Sequence, residues 1–374
     1  MIKSNPFTPQ SGWEPRVFGG REQELAEFRS NLRDAISVRP NHLVVLGEWG
    51  IGKTSLLKQF RRMAQEEGNP ACFCSISRFT KKDRPLDAIH LIAEEMLMGF
   101  PGLNADSEKL LGLFSKKKSP LQAQTQFTKF LLELWKAQDA KLAAVFLDDL
   151  QNLLPISNTI DILRAVLSKD EIIRDTRFLF ILSSTPAGWS AFLDKHDPVG
   201  RFFRKRLSVE NLGKQDVINT VEETLEDTGV SFDGRIKERI FEYTNGHPYE
   251  VQLLSNHLYD GQIEGRVTEG VWENALNNTL KELGKDYFNT LLAKASDRER
   301  YLLKILAEEK RPLSIKDFRT MMIVGRHARR FPIANIKNFL YRLQEKGVVR
   351  RDQDAGFDIP DRMFREFVLK FVRT

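Results

Sequence analysis

The sequence has little cysteine and no long apolar run. Cys72 and Cys74 are its two cysteines, and their one-residue separation fits neither a zinc pair nor a redox motif. They alternate as side chains of a buried strand do, so we expect reduced core cysteines. No apolar stretch reaches the roughly 18 residues of a membrane helix, and residues 1–6 lack the apolar region of a secretion signal. We therefore expect a cytoplasmic protein without membrane contact.

A large net charge is also absent, but the charge is unevenly distributed. The chain has 57 Lys and Arg, 51 Asp and Glu and a formal net charge of +6. Residues 298–374 contain 19 Lys and Arg against 10 Asp and Glu, so they carry +9 and the rest of the chain about −3. We expect any polyanionic partner to meet the C-terminal end.

A glycine-rich phosphate-binding motif is the most specific signal. The pattern G-x-x-x-x-G-K-[ST] follows the apolar residues 43–46 and precedes a segment with helical apolar spacing. Glycines let the backbone N–H groups point at phosphate oxygens at the positive end of the next helix. We expect Lys53 to reach the β- and γ-phosphates of ATP and the Thr54 hydroxyl to ligate Mg²⁺. The predicted nucleotide-binding residues are Gly47, Glu48, Trp49, Gly50, Ile51, Gly52, Lys53, Thr54 and Ser55.

A second acidic element follows the apolar residues 142–147. The magnesium ion of such a site takes a carboxylate from a neighbouring strand end, which predicts Asp148 at the metal. Asp149 would then orient or deprotonate the attacking water, and the alternative is that it caps the following helix. Fast ATPases more often have Glu at the second position, so the shorter Asp149 side chain favours slow turnover.

Two further groups of residues are catalytic candidates. Ser184 and Thr185 end the apolar run 178–182 and would sense the γ-phosphate if that strand neighbours the metal strand; the alternative is a plain strand-end turn. Arg201 and Arg204 lie in the basic stretch 200–206. Either arginine would accelerate phosphoryl transfer in a neighbouring subunit, which implies an oligomer on ATP binding. The alternative is a solvated basic turn.

The succession of apolar segments predicts an α/β fold with several domains. A chain of 374 residues exceeds what one core usually organises. Strands at 42–46, 71–77, 142–147 and 177–183 alternate with helical segments, which implies parallel βαβ units. The predicted division is an N-terminal arm and helix at 1–40, a P-loop NTPase core with a parallel sheet at 41–210, a helical lid at 211–296 and a winged helix-turn-helix domain at 297–374.

These motifs together resemble a known group, the archaeal and bacterial ATPases related to the origin-recognition AAA+ proteins and the STAND signalling ATPases. The resemblance rests on the residues 18–22, 47–57, 147–149 and 245–249. It implies that Val17, Phe18 and Arg21 lie against the adenine and that Pro248 of the lid packs near the base or ribose. No evident arginine lies close to Pro248, and this departure favours a nucleotide-held switch over a continuously cycling motor.

The leading hypothesis is an ATP-dependent switch that binds double-stranded DNA through the C-terminal domain. Apolar residues at helical spacing within 333–347 predict a helix with one face toward the domain core. Lysine and arginine residues lie on the other face of this helix, in the segment before it and in the predicted wing, where they could contact DNA phosphates. The predicted DNA contacts are Arg326, Arg329, Arg330, Lys337, Arg342, Lys346, Arg350 and Arg351. The alternative is a signalling scaffold whose winged helix binds only protein. A kinase or nucleotidyl enzyme fits poorly, because no substrate-binding insert is visible.

Overall fold

A computed structural model describes residues 4–10, 12–100, 112, 120–324, 335–352 and 356–372. By its internal contacts the chain divides into two compact units. The first, called the sheet unit, is Arg21–Glu210, and the second, called the helical unit, contains the described parts of 4–20 and 211–372. Residues 4–20 thus group with the C-terminal half of the chain, while the four-part division expected from the sequence stays a prediction.

The sheet unit is built on a five-stranded parallel sheet. Its strands are β1 Leu43–Leu46, β2 Ala71–Ser75, β3 Ala143–Asp148, β4 Phe178–Ser184 and β5 Lys205–Ser208. Their order across the sheet is β2-β3-β4-β1-β5, so β4 lies between β1 and β3. The α/β fold and the first four strands are confirmed, because near-continuous apolar runs are typical of strands covered on both faces.

The fifth strand is absent from the sequence prediction, which considered residues 200–206 only as a basic stretch with candidate arginines. In the structure Lys205 begins β5, which pairs in parallel with β1. An edge strand needs no apolar run, and within β5 only Leu207 is buried. Four residues of mostly polar sequence therefore carry no strand signal.

Helices cover both faces of the sheet. They are α1 Glu22–Ser37, α2 Lys53–Glu66, α3 Pro85–Gly99, α4 Pro120–Lys136, a 3-10 helix Leu150–Ile156, α5 Asn158–Leu167, α6 Asp170–Asp175, α7 Pro186–Lys195 and α8 Asp197–Phe202. On one face Phe28 of α1 stacks on Phe60 of α2 at 4.1 Å between ring centroids and packs against Phe146 of β3. On the other face Val145 and Phe180 belong to the core formed with α3 and α4.

The helical unit begins with helices that share one core. They are α9 Lys214–Leu225, α10 Gly234–Thr244, α11 Pro248–Gly261, α12 Glu269–Leu283, a π-helical turn Gly284–Phe288 and α13 Asn289–Ala293. Phe7 of the N-terminal arm stacks on Phe232 at 6.3 Å and lies against Tyr259 in this core. The sequence analysis gave no separate bounds for α12 within the predicted helical lid, although its buried Val271, Trp272, Ala275 and Leu276 recur at helical spacing.

The C-terminal part continues the same core. It contains α14 Asp297–Glu309, α15 Ile315–Val324, α16 Ile336–Glu345, the antiparallel pair β6 Arg350–Asp352 and β7 Gly356–Asp358, and α17 Arg362–Phe371. Within the described residues, three helices thus precede two short antiparallel strands, and one more helix follows them. The Phe367 ring of α17 packs so closely on Gly284 that a Cβ there would lie 2.5 Å from it. None of the described helices is both long and apolar enough to span a bilayer.

Candidate nucleotide-binding site

The glycine loop lies between the end of β1 at Leu46 and the start of α2 at Lys53. Gly50 and Gly52 have φ of 74° and 92°, in the left-handed region that a side chain disfavours. Gly52 directly precedes a helix of 14 residues, so the loop N–H groups and the helix dipole act at the same place. The sequence motif therefore folds into an anion-binding loop, which is the local geometry that the pattern predicts.

Lys53 lies over this loop. Its side-chain Nζ donates to the Glu48 carbonyl oxygen at 2.9 Å, and the residue is buried. Burial lowers the pKa of Lys53, whereas the nearby negative charges of Asp149, Asp148 and Glu48 raise it. The two carboxylates that follow the apolar residues of β3 therefore lie close enough to act on the lysine of the loop.

Arg21, the residue directly before α1, contacts the same loop. Its guanidinium donates to the Ile51 carbonyl oxygen at 3.2 Å and to the Glu24 carboxylate at 3.0 Å, and the residue is 6% exposed. The resemblance implied a contact with adenine, whereas the structure places this side chain against the loop backbone. Val17, Phe18 and Pro248 belong to the helical unit, and their contacts with the base stay predictions.

Asp148 ends β3 and is bound by two hydroxyl groups. Thr54 Oγ1 donates to Asp148 Oδ2 at 2.6 Å, and Ser183 Oγ donates to Asp148 Oδ1. The carboxylate is almost fully buried, and this burial raises the pKa of Asp148 while the two hydrogen bonds lower it. Thr54 and Asp148, which were both predicted as magnesium ligands, thus lie in direct contact, and Ser183 is a site residue that the sequence analysis missed.

The backbone of Asp149 has φ of 59°, an uncommon conformation for a residue other than glycine. Its N–H donates to Ser183 Oγ at 2.9 Å, and its Oδ1 accepts a hydrogen bond from Gln151 Nε2 at 2.8 Å. The side chain makes no capping bond to the 3-10 helix that follows. The alternative role of Asp149 as a helix cap is therefore not the arrangement that the structure shows.

The other two hydroxyls at the end of β4 make local contacts. Ser184 Oγ donates to the Thr185 carbonyl oxygen at 3.1 Å, and Thr185 Oγ1 accepts from Gly188 N at 3.0 Å as the N-cap of α7. The strand does neighbour the metal strand, as the sensor hypothesis required. However, the hydroxyl that reaches the Asp148 carboxylate belongs to Ser183, and a sensor role for Ser184 or Thr185 stays a prediction.

Arg201 and Arg204 lie at the opposite edge of the sheet from the glycine loop. Arg204 precedes β5, whose first residue pairs with Leu43 at the beginning of β1, whereas the loop follows the end of β1. Four residues at ~3.3 Å each separate these edges by about 13 Å. Both arginines are exposed, and Arg204 Nε donates to the Arg201 carbonyl oxygen at 2.7 Å. This separation argues against a role of either arginine at the phosphate site of its own chain, so the role in a neighbouring subunit stays a prediction, with solvated basic residues as its alternative.

The predicted DNA contacts fall into three groups. Arg326, Arg329 and Arg330 lie outside the described residues. Lys346 forms an ion pair at 2.7 Å with Glu299, which is 2% exposed, so this lysine joins α14 to the end of α16. The remaining four are exposed and are called the basic face: Lys337, Arg342, Arg350 and Arg351.

The apolar stripe predicted beside these cations is confirmed. Ile336, Phe339, Leu340 and Leu343 of α16 are buried in the core of the helical unit. Within the basic face, the Arg351 guanidinium donates to the Tyr341 hydroxyl at 2.5 Å and lies over the Tyr341 ring. The helix thus turns apolar residues inward and leaves most of its cations outside.

The donor set at Asp148 fits magnesium. Among the described residues, no group of three or more His, Cys, Asp or Glu side chains could hold a metal ion by itself. Magnesium in phosphate-transferring sites is held by one or two protein oxygens, water and the phosphates of the substrate. The hydroxyl of Thr54 and the carboxylate of Asp148, already in contact at 2.6 Å, provide two such oxygens.

A glycine loop, its lysine and a strand-end carboxylate meet at the carboxyl edge of one parallel sheet, and this combination defines a P-loop nucleotide hydrolase. Comparison with protein families gives a similarity over part of the chain: residues 17–181 match the family model described as AAA ATPase domain. With the geometry of the site, this similarity supports an ATP-hydrolysing enzyme.

Three solved structures illustrate the similarity in fold. A Walker-type ATPase of Pyrococcus abyssi is 15% identical, with a TM-score of 0.64 over 93% of this chain and 95% of that chain. The ORC2 protein of Aeropyrum pernix, solved in ADPNP–ADP complexes, is 16% identical, with a TM-score of 0.64 over 96% of each chain. The ORC1 protein of the same organism, solved in complex with DNA, is 15% identical, with a TM-score of 0.52 over 96% of this chain and 94% of that chain. A comparison with curated proteins found no match.

Proposed function

We propose that this ATPase is a slow switch that acts on double-stranded DNA through a C-terminal winged helix. The observation that carries the proposal is the basic face, which lies on α16 and on the β6–β7 pair next to a buried apolar stripe. Three helices followed by an antiparallel pair are the element order of a winged helix-turn-helix. The ORC1 protein of similar fold was solved with DNA, which makes duplex DNA the partner to test.

The chemistry of the switch is proposed for the sheet unit alone. The loop N–H groups and Lys53 would hold the β- and γ-phosphates of ATP, and Thr54 and Asp148 would hold Mg²⁺. When bound there, Mg²⁺ would supply positive charge beside the phosphates. Asp149 orients the attacking water, since its carboxylate acts on Lys53 and lies one residue beyond the metal carboxylate. The side chain of Asp149 is one methylene shorter than the Glu of fast ATPases, which supports slow turnover and a long-lived ATP-bound state.

DNA affinity of the full chain is expected to rise with ATP and to depend on the basic face. Arg350→Ala with Arg351→Ala should weaken binding of duplex DNA at every sequence, because guanidinium contacts to phosphates position without specifying bases. Loss of two phosphate contacts should reduce the slope of log K against log salt by about 2. Fluorescence anisotropy with labelled duplexes at several salt concentrations measures both quantities, with ATP and with ADP.

The matched control removes the same charge elsewhere. Arg29 and Arg33 are exposed on α1 of the sheet unit, and their replacement by alanine should leave DNA affinity and the salt slope nearly unchanged. If both double variants lost the same DNA affinity, the loss would be explained by the lower net charge of the protein and not by the basic face. If the ATP-bound full chain binds no duplex DNA at low salt, the DNA proposal fails and a protein-binding scaffold replaces it.

If Arg201 or Arg204 acts on ATP bound to a neighbouring subunit, two differently inactivated chains should restore each other's ATP hydrolysis when they are mixed. A chain with Asp149→Asn keeps its arginines, and a chain with Arg201→Ala and Arg204→Ala keeps its phosphate site. Mixing two poorly active chains should therefore raise ATP turnover at least about tenfold, since an arginine supplied in trans contributes ~10³–10⁵ in related hydrolases. Turnover per subunit of the unaltered chain should also rise with protein concentration.

The control for this mixture is Arg206→Ala, which removes an exposed arginine of β5 and should leave turnover unchanged. A mixture whose turnover equals the sum of its parts, together with a concentration-independent rate, would mean that each chain hydrolyses ATP by itself.

A further inference from the structure

Gln151 lies in the 3-10 helix that follows β3 and bonds with both ends of its side-chain amide. Its Nε2 donates to Asp149 Oδ1 at 2.8 Å, and its Oε1 accepts from Thr185 N at 3.3 Å. An amide group has its donor and its acceptor on different atoms, so one side chain connects the acidic residue after β3 with the turn after β4. No sequence motif had singled out this glutamine.

From these contacts we propose that Gln151 is a positioning residue for ATP hydrolysis, which fixes the Asp149 carboxylate for the attacking water. The inference rests on the proposed role of Asp149. The bond from Gln151 engages Oδ1, which leaves Oδ2 as the oxygen toward which a water can be aligned. Small displacements of an aligned group are costly for catalysis, because the reacting atoms must meet within a narrow range of distance and angle.

The backbone at Asp149 makes such a side-chain restraint useful. Its left-handed φ of 59° is held by the bond from its N–H to Ser183 Oγ, and the same Ser183 hydroxyl donates to Asp148. The main chain is therefore tied to the metal carboxylate, but this tie leaves the χ angles of Asp149 undetermined. The bond from Gln151 supplies the remaining restraint on the carboxylate.

The position of Gln151 is itself fixed by close packing on α7. A Cβ added to Gly188 would lie 2.6 Å from Gln151 Cβ, so the glycine allows the 3-10 helix to approach α7 at this point. Gly188 N in turn donates to the side chain of Thr185, whose own N–H bonds to Gln151. A glutamine anchored in this way can hold a carboxylate more rigidly than a solvated side chain could.

The test compares variants that separate the two ends of the amide. Gln151→Met has a similar length and loses both bonds, whereas Gln151→Glu keeps an acceptor for Thr185 N but places a carboxylate against Asp149. We expect both variants to lower kcat on the order of 10- to 100-fold while KM and ATP affinity by calorimetry change little. If the glutamine only stabilises the turn through Thr185, Gln151→Glu would keep the unaltered kcat, and the inference would be overturned.

Asn152→Ala is the matched control in the same 3-10 helix. Asn152 Nδ2 donates to the Ile76 carbonyl oxygen at 2.8 Å, so its loss should lower the thermal midpoint without a comparable fall in kcat. A parallel fall in kcat and midpoint across all three variants would assign Gln151 a structural role only.

A double variant distinguishes failure of this inference from failure of the proposed function. With Asp149→Asn present, Gln151→Met should change kcat less than about twofold, because residues that act as a unit are not additive. If Gln151→Met lowered kcat in the Asp149→Asn background as much as in the unaltered chain, Gln151 would act on a group other than Asp149. Wild-type turnover of Asp149→Asn alone would instead remove the proposed role of Asp149, and the inference with it.

Discussion

Lys53→Ala is expected to abolish ATP turnover and to weaken triphosphate binding strongly. The ammonium lies over the phosphate loop, bonded to the Glu48 carbonyl oxygen at 2.9 Å, and it is the cation nearest the place where the phosphates bind in a loop of this kind. Removing it also leaves the carboxylates of Asp148 and Asp149 without their neighbouring positive charge. Loss of one group that stabilises charge in the transition state lowers the rate about 10²- to 10³-fold. Weaker binding of ATP lowers turnover further.

Turnover is measured as phosphate release and binding as heat of titration with a non-hydrolysable triphosphate. Lys58→Ala is a suitable control, because it removes one lysine from the same helix, α2, at a position outside the glycine loop. A Lys53→Ala protein that binds and hydrolyses ATP as the unaltered chain does would contradict the phosphate site itself.

Asp149→Asn is expected to separate binding from hydrolysis. The contact between Thr54 and Asp148, the proposed magnesium ligands, is unchanged, so ATP affinity should stay within about threefold, whereas loss of the Asp149 carboxylate should slow hydrolysis by ~10²-fold or more. Asparagine retains an oxygen that can accept the bond from Gln151, so the local geometry is kept and the change is one of charge and basicity.

Single-turnover hydrolysis with enzyme in excess isolates the chemical step from product release. Asp139→Asn makes the same chemical change in an exposed turn of the sheet unit and should behave as the unaltered chain does. Unchanged single-turnover rates in Asp149→Asn would assign water activation to another residue.

The site shows which contacts a local pattern can predict. The glycine loop was predictable because its residues are contiguous, and the same short segment supplies the backbone N–H groups, the lysine and the helix start. The pairing of Thr54 with Asp148 was predictable too, since parallel strands bring their carboxyl ends to one edge. Both inferences use only chain order and strand direction.

Ser183 was missed although the sequence contains a usable signal. Along β4, Phe178, Phe180 and Leu182 share one core face, so strand alternation places Ser183 on the other face. Asp148 alternates in the same way after Val145 and Leu147 of β3. With Leu147 opposite Leu182 in the sheet, Asp148 and Ser183 follow as neighbours, but the register that makes this argument work is not visible from one sequence.

Arg21 and Lys346 show a different limit. The resemblance assigned Arg21 to the adenine and the charge pattern assigned Lys346 to DNA, whereas the structure pairs Arg21 with the Ile51 carbonyl oxygen and Lys346 with Glu299. Arginine and lysine side chains are long enough to reach several different partners. Which partner such a side chain binds depends on how deeply each partner is buried. Burial of a carboxylate such as Glu299 costs free energy unless a cation pairs with it. The lysine therefore forms an ion pair with Glu299 instead of extending into solvent.

By itself the sequence determined the α/β order, the glycine loop and its lysine, the carboxylate of Asp148 at a strand end and the concentration of positive charge at the C-terminal end. These follow from residues adjacent in the chain and from the two periodicities of strand and helix. Only the tertiary structure decided that β5 completes the sheet, that Ser183 and Gln151 hold the two aspartates and that Arg201 and Arg204 lie far from their own phosphate loop. Each of these depends on side chains distant in sequence that meet through sheet order, register and burial.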